Sequence, residues 1–438
     1  MNDPLAPFEP GPRDPWDLRK VGHLLRRAGF GASLPVRREL VRAGPDAALD
    51  HVAPLVQDPL PPAALQAAAI ATGAIERVRA FRVYWALQSP HPLAARMAVF
   101  WHGHFATSNQ KLLDPRAMAL QQQSFDRLGL GRFDELLVAM CHDPALLRWL
   151  DNDTNTAGKP NENFARELFE LFTLGRGNYG ERDVREAARA FSGYHVRDGE
   201  FSFVSHQHDA GDKVVLGARG AFDGDDIVAL LAARPETARF LATRWLRHFV
   251  HPEPEPAEVA ALVEVYERSD RHIGATLRTL LRSRLFCSAR AYRSKVKSPA
   301  DFVLGTVSLL GGRAAPADLA RVMQSLGETW LEPPSVEGWH GERAWLSPAA
   351  WLLRSNFTAD LFAQRRHRLQ QAPVSLFAGL STPADRARAA ALVLLDGDVS
   401  GAGRARLEAV AAAAAGNPAE NAAELLHAAA CLPEYQLL

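Results

Sequence analysis

Residues 158–175 read GKPNENFARELFELFTLG, and the spacing of their apolar side chains decides the fold class. Phe164, Leu168, Leu171 and Phe172 recur at three- and four-residue intervals, which predicts an amphipathic helix over 161–174. Pro160 stands near its start, where a missing N–H costs nothing, and Gly175 supplies a stop. At about 100° per residue, Asn163, Arg166, Glu167 and Glu170 share the opposite face. Glu162 and Arg166, four residues apart, are placed for an ion pair. That face reads either as a solvated acidic surface or as a working site. The preceding DNDTNTAGKPNEN is dense in Asp and Asn, residues that cap, turn and ligate.

The same helical period extends outward in both directions. It predicts helices over 17–29, 63–88 (one long helix), 91–105, 116–127, 132–142, 144–150 and 181–192. It resumes over 224–233, 235–249, 256–268, 272–285, 298–311, 316–325 and 348–369, and in an alanine-rich tail at 383–395, 402–415 and 418–430. Two stretches break the pattern. Residues 193–220 alternate at FSFVS and are punctuated by Gly and Asp, which predicts a β-hairpin or irregular excursion. Residues 326–347 form a Pro/Gly/Trp-rich loop of the kind that often carries function. The expected fold is mainly α, a large multi-helix orthogonal bundle with a small hairpin near 193–220. The expected divisions are an extended or disordered arm at 1–15, a helical core at 16–370 and an alanine-rich subdomain at 371–438.

Composition narrows the function classes. Lys+Arg and Asp+Glu both number 50 in 438 residues, a balance that argues against a nucleic-acid partner. Cys141, Cys287 and Cys431 are odd in number and far apart, so they make neither a CxxC zinc pattern nor a disulfide framework, and a reducing compartment follows. The N-terminal MNDPLAPFEPGPRDPWDLRK lacks a signal peptide's apolar run, and no stretch is long and apolar enough to span a bilayer. A cytoplasmic location is expected. The motifs GxSxG, GxxxxGK[ST] and HExxH are absent.

A second stretch, FWHGHFATS at 100–108, places His102 and His104 on either side of Gly103 among aromatic residues. On a regular helix positions i and i+2 diverge, so the two rings converge only at a helix end or kink, which Gly103 eases.

HLLRRAGFGAS (23–33), FWHGHFATS, GKPNENFARELFELFTLG, DVREAARAFSGY (183–194), HDAGDKVVLG (208–217) and PPSVEGWHGERAW (333–345) together resemble the bacterial "domain of unknown function 1800" family over about residues 16–360. The resemblance implies a largely helical protein. It also implies a protein partner, because genes of this family often neighbour those of a second family related to alkaline phosphatases and sulfatases. The positions matching the family pattern are His102, His104 and Phe105, then Asn161, Glu162, Asn163, Arg166, Glu167 and Glu170, then His208, Asp209 and Lys213, then Trp339 and Trp345.

Two histidines with several Glu and Asn residues are the ligand set of a divalent metal, here His102, His104 and Glu167. The alternative is a pair of core histidines hydrogen-bonded without a metal. Glu162 and Glu167 beside His104 would supply acid–base chemistry if their face is buried, and Arg166 would clamp a carboxylate or phosphate. Asn163, His208, Asp209 and Lys213 would hold a polar or anionic substrate. Trp339 would line its cleft or else anchor a loop. Two functions from different classes follow. One is an enzyme, in its sharpest form a metal-dependent hydrolase. The other is a helical scaffold or chaperone for the neighbouring gene's product.

Overall fold

Many of the helix starts are written in the sequence as a cap followed by proline. Asp114–Pro115, Asp143–Pro144, Ser298–Pro299, Ser347–Pro348 and Thr382–Pro383 each open a helix in this way. In each, the cap side chain accepts a backbone N–H of the first turn. The computed structural model describes residues 3–55, 60–339, 341–365, 367, 369, 373–413 and 417–438, apart from the Arg343 side chain. Among these residues are twenty-two α-helices and two small antiparallel sheets, so the fold is mainly α. His340 and part of the 402–415 stretch lie outside the described residues.

The expected long helix over 63–88 is two helices, Ala63–Ala71 and Ile75–Gln88. Gly73, at φ +65°, turns the chain between them. The excursion at 193–220 holds two hairpins, Tyr194–Arg197 with Glu200–Phe203 and Lys213–Val215 with Ala218–Gly220. Asp198 and Gly199 turn the first, and Leu216 and Gly217 the second. All four have positive φ, the geometry that matches the right-handed twist of paired strands.

Amphipathic faces close over two large hydrophobic clusters. The first runs from Leu5 to Ala291 and includes Trp101, Phe105, Phe164, Phe169 and Phe172. The second joins Phe30 and Val83 to residues 300–435, so the alanine-rich tail packs with the Pro299–Leu309 and Pro348–Phe362 helices. The N-terminal arm is extended and pinned: the Phe8 N–H donates to the Arg282 carbonyl at 2.8 Å, and Leu5 and Phe8 are buried. No helix among the described residues is long and apolar enough to cross a membrane.

Candidate functional site

The helix at the centre of the argument begins at Asn163 and runs in α form to Glu167, then widens into a π-helix over Leu168–Thr173. The Leu174 N–H donates to the Phe169 carbonyl five residues back at 2.8 Å, and the Thr173 hydroxyl donates to the Leu168 carbonyl at 2.6 Å. This register shift buries Phe169 and Thr173 beside Phe164, Leu168 and Phe172, and leaves Leu171 half-buried. It also frees the Phe172 carbonyl to accept from His104 Nε2 at 3.0 Å. π turns inside helices frequently accompany functional sites.

His102 and His104 occupy the last turn of the Pro92–His104 helix, and both are almost fully buried. His104 donates through Nε2, which leaves Nδ1 as an unpartnered acceptor. His102 has the opposite tautomer: its Nε2 accepts the Leu331 N–H at 2.9 Å, and its Nδ1 has no partner. The Trp339 ring lies edge-on to His102 at 5.2 Å. Burial, reinforced by Arg82, pushes the His102 pKa down to about 3. Burial and then Arg244 push His104 well below the usual imidazole range. Both rings are neutral and tie the helix end to the 331–339 loop on one side and to the π segment on the other.

The structure does not assemble the metal centre expected from His102, His104 and Glu167. Among the described residues, no three His, Cys, Asp or Glu side chains are grouped to hold a metal ion. The reason is directional. Two residues apart on a helix, the rings face different neighbours, and one nitrogen of each is already bonded to the backbone. Glu167 stands on the outer face of its helix, half-exposed.

Other motif residues hold the chain together. Arg166 bonds Glu162 at 3.0 Å and grips both oxygens of Glu181 at 2.8 Å. Asn163 donates to the Leu150 carbonyl at 3.1 Å. His208 Nδ1 lies 2.9 Å from the Ser192 carbonyl, Asp209 accepts from Arg189 at 2.7 Å, and the fully buried Lys213 donates to the carbonyls of Asp209 and Gly211. These bonds pin the 208–213 loop to residues 189–192. Asn152 and Asn155, not singled out among the Asp/Asn-rich residues before the helix, are wholly buried and bond the carbonyls of Ala188, Phe191 and Tyr194.

Residues of two motifs meet at an open concavity beside the π segment. A groove of about 460 Å³ runs between the π segment, the Pro235–Phe249 helix and Glu337. Glu170 is bound there by Arg176 at 2.5 Å and by the Tyr179 hydroxyl at 2.9 Å, and Arg176 reaches Glu337 at 3.3 Å. Two charged groups are left uncommitted. Arg244 is half-buried and packs near the rings of Phe240 and Phe100, and no carboxylate among the described residues is paired to it. Burial, then Arg247, lowers its pKa to about 10. Glu167, one turn before the groove-lining Glu170 on the helix but not itself in the lining, accepts no hydrogen bond from the described residues. Burial, then repulsion from Glu170 and Glu337 against the pull of Arg166 and Arg176, raises its pKa. Arg244 carried a sequence signal: it lies four residues after Phe240 on a helix whose neighbouring Leu241 and Trp245 are fully buried.

Residues 175–180, GRGNYG, have the glycine spacing of a dinucleotide-binding turn. They follow a helix instead of a strand, which removes the context that spacing requires. No curated protein and no solved structure matches the chain. A family model matches residues 23–437, nearly the whole length, and the chain belongs to that family, described as "Protein of unknown function (DUF1800)".

Proposed function

We propose that this protein is a hydrolase that works by acid–base chemistry in the groove beside the π segment and takes a small anionic substrate. The observation that supports the reading is the pair of uncommitted charges, Arg244 and Glu167, beside a concavity lined by Glu170 and Glu337 from two of the motifs. An unpaired, half-buried guanidinium is a ready site for a carboxylate or phosphate. A carboxyl whose pKa is raised holds its proton more readily than a free one, which suits it to proton transfer. In this reading Glu167 takes the proton from an attacking water and returns it to the leaving alcohol. Arg244 binds the anion and Phe240 covers its apolar body. No step passes through a metal, because the described residues offer no grouped ligands.

Titration of inorganic phosphate into the full chain tests the anion site, with Arg244→Gln as the control. Binding that weakens about tenfold in the variant is expected, the loss of one charge-assisted contact. Phosphate binding equal in both proteins overturns the assignment. A panel of carboxylate-bearing and phosphate-bearing esters then tests turnover, which Glu167→Gln must abolish.

A second reading is a scaffold that binds a protein partner. Its supporting observation is the start of the Pro348–Phe362 helix, where Trp351, Leu352 and Leu353 are 37%, 60% and 38% exposed on consecutive positions. Turnover absent from every ester, with partner capture lost in Leu352→Glu, would favour it.

A further inference from the structure

The three cysteines stand in different surroundings. Cys141 is buried in the first hydrophobic cluster, and Cys287 packs against the same cluster. Burial pushes the Cys141 thiol well above its usual range and the Cys287 thiol to about 12, which keeps both in the unreactive protonated form. Cys431 caps the Pro418–Ala430 helix and is partly exposed. Its thiol has a base beside it. His427 stands one turn earlier on the same face, and Cys431 Sγ lies 3.7 Å from its Nε2 and 3.9 Å from its Nδ1.

The hydrogen bonds around the ring decide which nitrogen is free. The Thr358 hydroxyl has one proton, and it goes to the Ser355 carbonyl at 3.0 Å. Toward His427 Nδ1, also at 3.0 Å, the same oxygen can only accept. The imidazole therefore carries its proton on Nδ1 and keeps the Nε2 lone pair for the Cys431 thiol. Burial lowers the His427 pKa, so the ring is neutral at pH 7 and open to a proton. The Ser355 hydroxyl, 3.7 Å from the same sulfur, has no other partner among the described residues and can donate to a thiolate there. A nucleophile, a base and a third group that orients the base is the arrangement that activates sulfur. Here it is assembled where the Pro348–Phe362 helix meets the end of the Pro418–Ala430 helix.

We propose that Cys431 is a site of reversible modification by small-molecule disulfides, with His427 as the base that activates it and Thr358 as the residue that positions the base. The thiol proton passes to His427 Nε2, and the Cys431 sulfur attacks one sulfur of the disulfide. The disulfide's own S–S bond breaks as the new one forms. The released thiolate takes the proton back from the imidazolium and leaves as a thiol. Cys431 is oxidised and the small disulfide is reduced, with no further reactant. No second thiol displaces the adduct: among the described residues Cys431 Sγ contacts Ser355 and His427, while Cys141 and Cys287 belong to the first cluster and the Pro418–Ala430 helix to the second. The adduct therefore persists until an external thiol removes it. The site shares no residue with the groove of the proposed hydrolase and does not depend on that reading.

Glutathione disulfide is the probe, added to the full chain and followed by intact mass and peptide mapping. One glutathione per chain, on Cys431 and removed by dithiothreitol, is expected. Alkylation by iodoacetamide then measures the activation. An unassisted thiol is only a few per cent thiolate near pH 7, so His427→Gln should slow alkylation of Cys431 about tenfold at pH 7. The loss should shrink at about pH 9, where hydroxide removes the proton unaided. A merely structural role of His427 would leave that pH dependence unmoved. Thr358→Val keeps the side chain's shape and removes the oxygen that orients the ring, and it should slow the reaction in the same direction. Cys141 stays unreactive in a variant whose core is intact, and where His427→Gln exposes it, Thr358→Val still decides. The proposal fails if no glutathione adds to Cys431, if it adds to Cys287 as readily, or if both variants are alkylated at the parent's rate and with the parent's pH dependence.

Discussion

Asp143 illustrates how one buried side chain serves two duties. Its Oδ1 caps the Pro144–Trp149 helix by taking the Leu146 N–H at 2.8 Å and also accepts the Gln121 amide at 2.8 Å. Burial outweighs those bonds and lifts the carboxyl to about 7. The folded chain thus holds this proton more tightly than the unfolded chain, whose carboxyl titrates near 4. The resulting stability is complete below about pH 4 and is lost as pH rises through 7. Asp143→Asn keeps a cap and removes the charge. Thermal unfolding should find it equal to the parent at pH 4 and more stable at pH 8, by at least about 1 kcal/mol. A less stable variant at pH 8 would reverse the sign argued here. Glu167 has the same direction of shift from a half-exposed position. Glu167→Gln should therefore gain less than about 1 kcal/mol at pH 7, because solvent screens the charge, and nothing at pH 4.

At the scale of elements, a π segment and a glycine-bearing loop close around the end of one helix. Gly338 is at φ +85°, and a Cβ there would lie 2.7 Å from the Gly103 carbonyl oxygen. The bare backbone lets Trp339 rest on Gly103 and against His102. Gly338→Ala must move the loop or strain it, at a cost of about 1–3 kcal/mol. Red-shifted tryptophan emission and a lower unfolding midpoint are expected, and unchanged values for both would mean that the loop does not depend on this contact. Gly175 makes the same kind of stop after the π segment, at φ +78° with Phe240 3.1 Å from where a Cβ would stand. The sequence marks that stop by its glycine. It does not mark the five-residue turn before it, because a 3.6-residue period fits the apolar stripe nearly as well.

Across the whole molecule, buried ion pairs link the two cores. Asp396, at the end of the Pro383–Leu395 helix, has a fully buried carboxylate gripped by Arg26 at 2.6 Å and by Arg37. Gly22 makes room for it, since a Cβ there would come within 2.3 Å of the carboxylate. Removing one member of such a cluster strands the others, so Asp396→Ala should cost about 3–5 kcal/mol in denaturant unfolding. A loss under about 1 kcal/mol would mean that the cores hold together without it. Acid should also act globally. His23, His102, His104 and His248 are all held neutral by burial. The unfolded chain protonates them near pH 6.5 while the folded chain does not. Stability is therefore full above that pH and falls as pH drops, by up to about 1.4 kcal/mol per unit for each ring. Unfolding midpoints between pH 7 and pH 4 measure that slope.

The sequence by itself determined the helices and many of their starts, because caps, prolines and a 3.6-residue period act between residues a few positions apart. It marked the 193–220 excursion through strand alternation and its Gly and Asp, and it placed the Glu162–Arg166 pair by helical spacing. It misjudged 63–88, where a single glycine outweighed a continuous apolar pattern. Only the tertiary structure decided what the motif side chains do. His102 bonds a backbone group 229 residues away and His104 one 68 residues away. Arg166 takes a second partner in Glu181, and Lys213 is buried among carbonyls. Histidine, glutamate and asparagine are metal ligands, acid–base groups and core pins alike. Which of these each becomes is set by the direction of its free lone pairs after packing, and no local spacing encodes that direction.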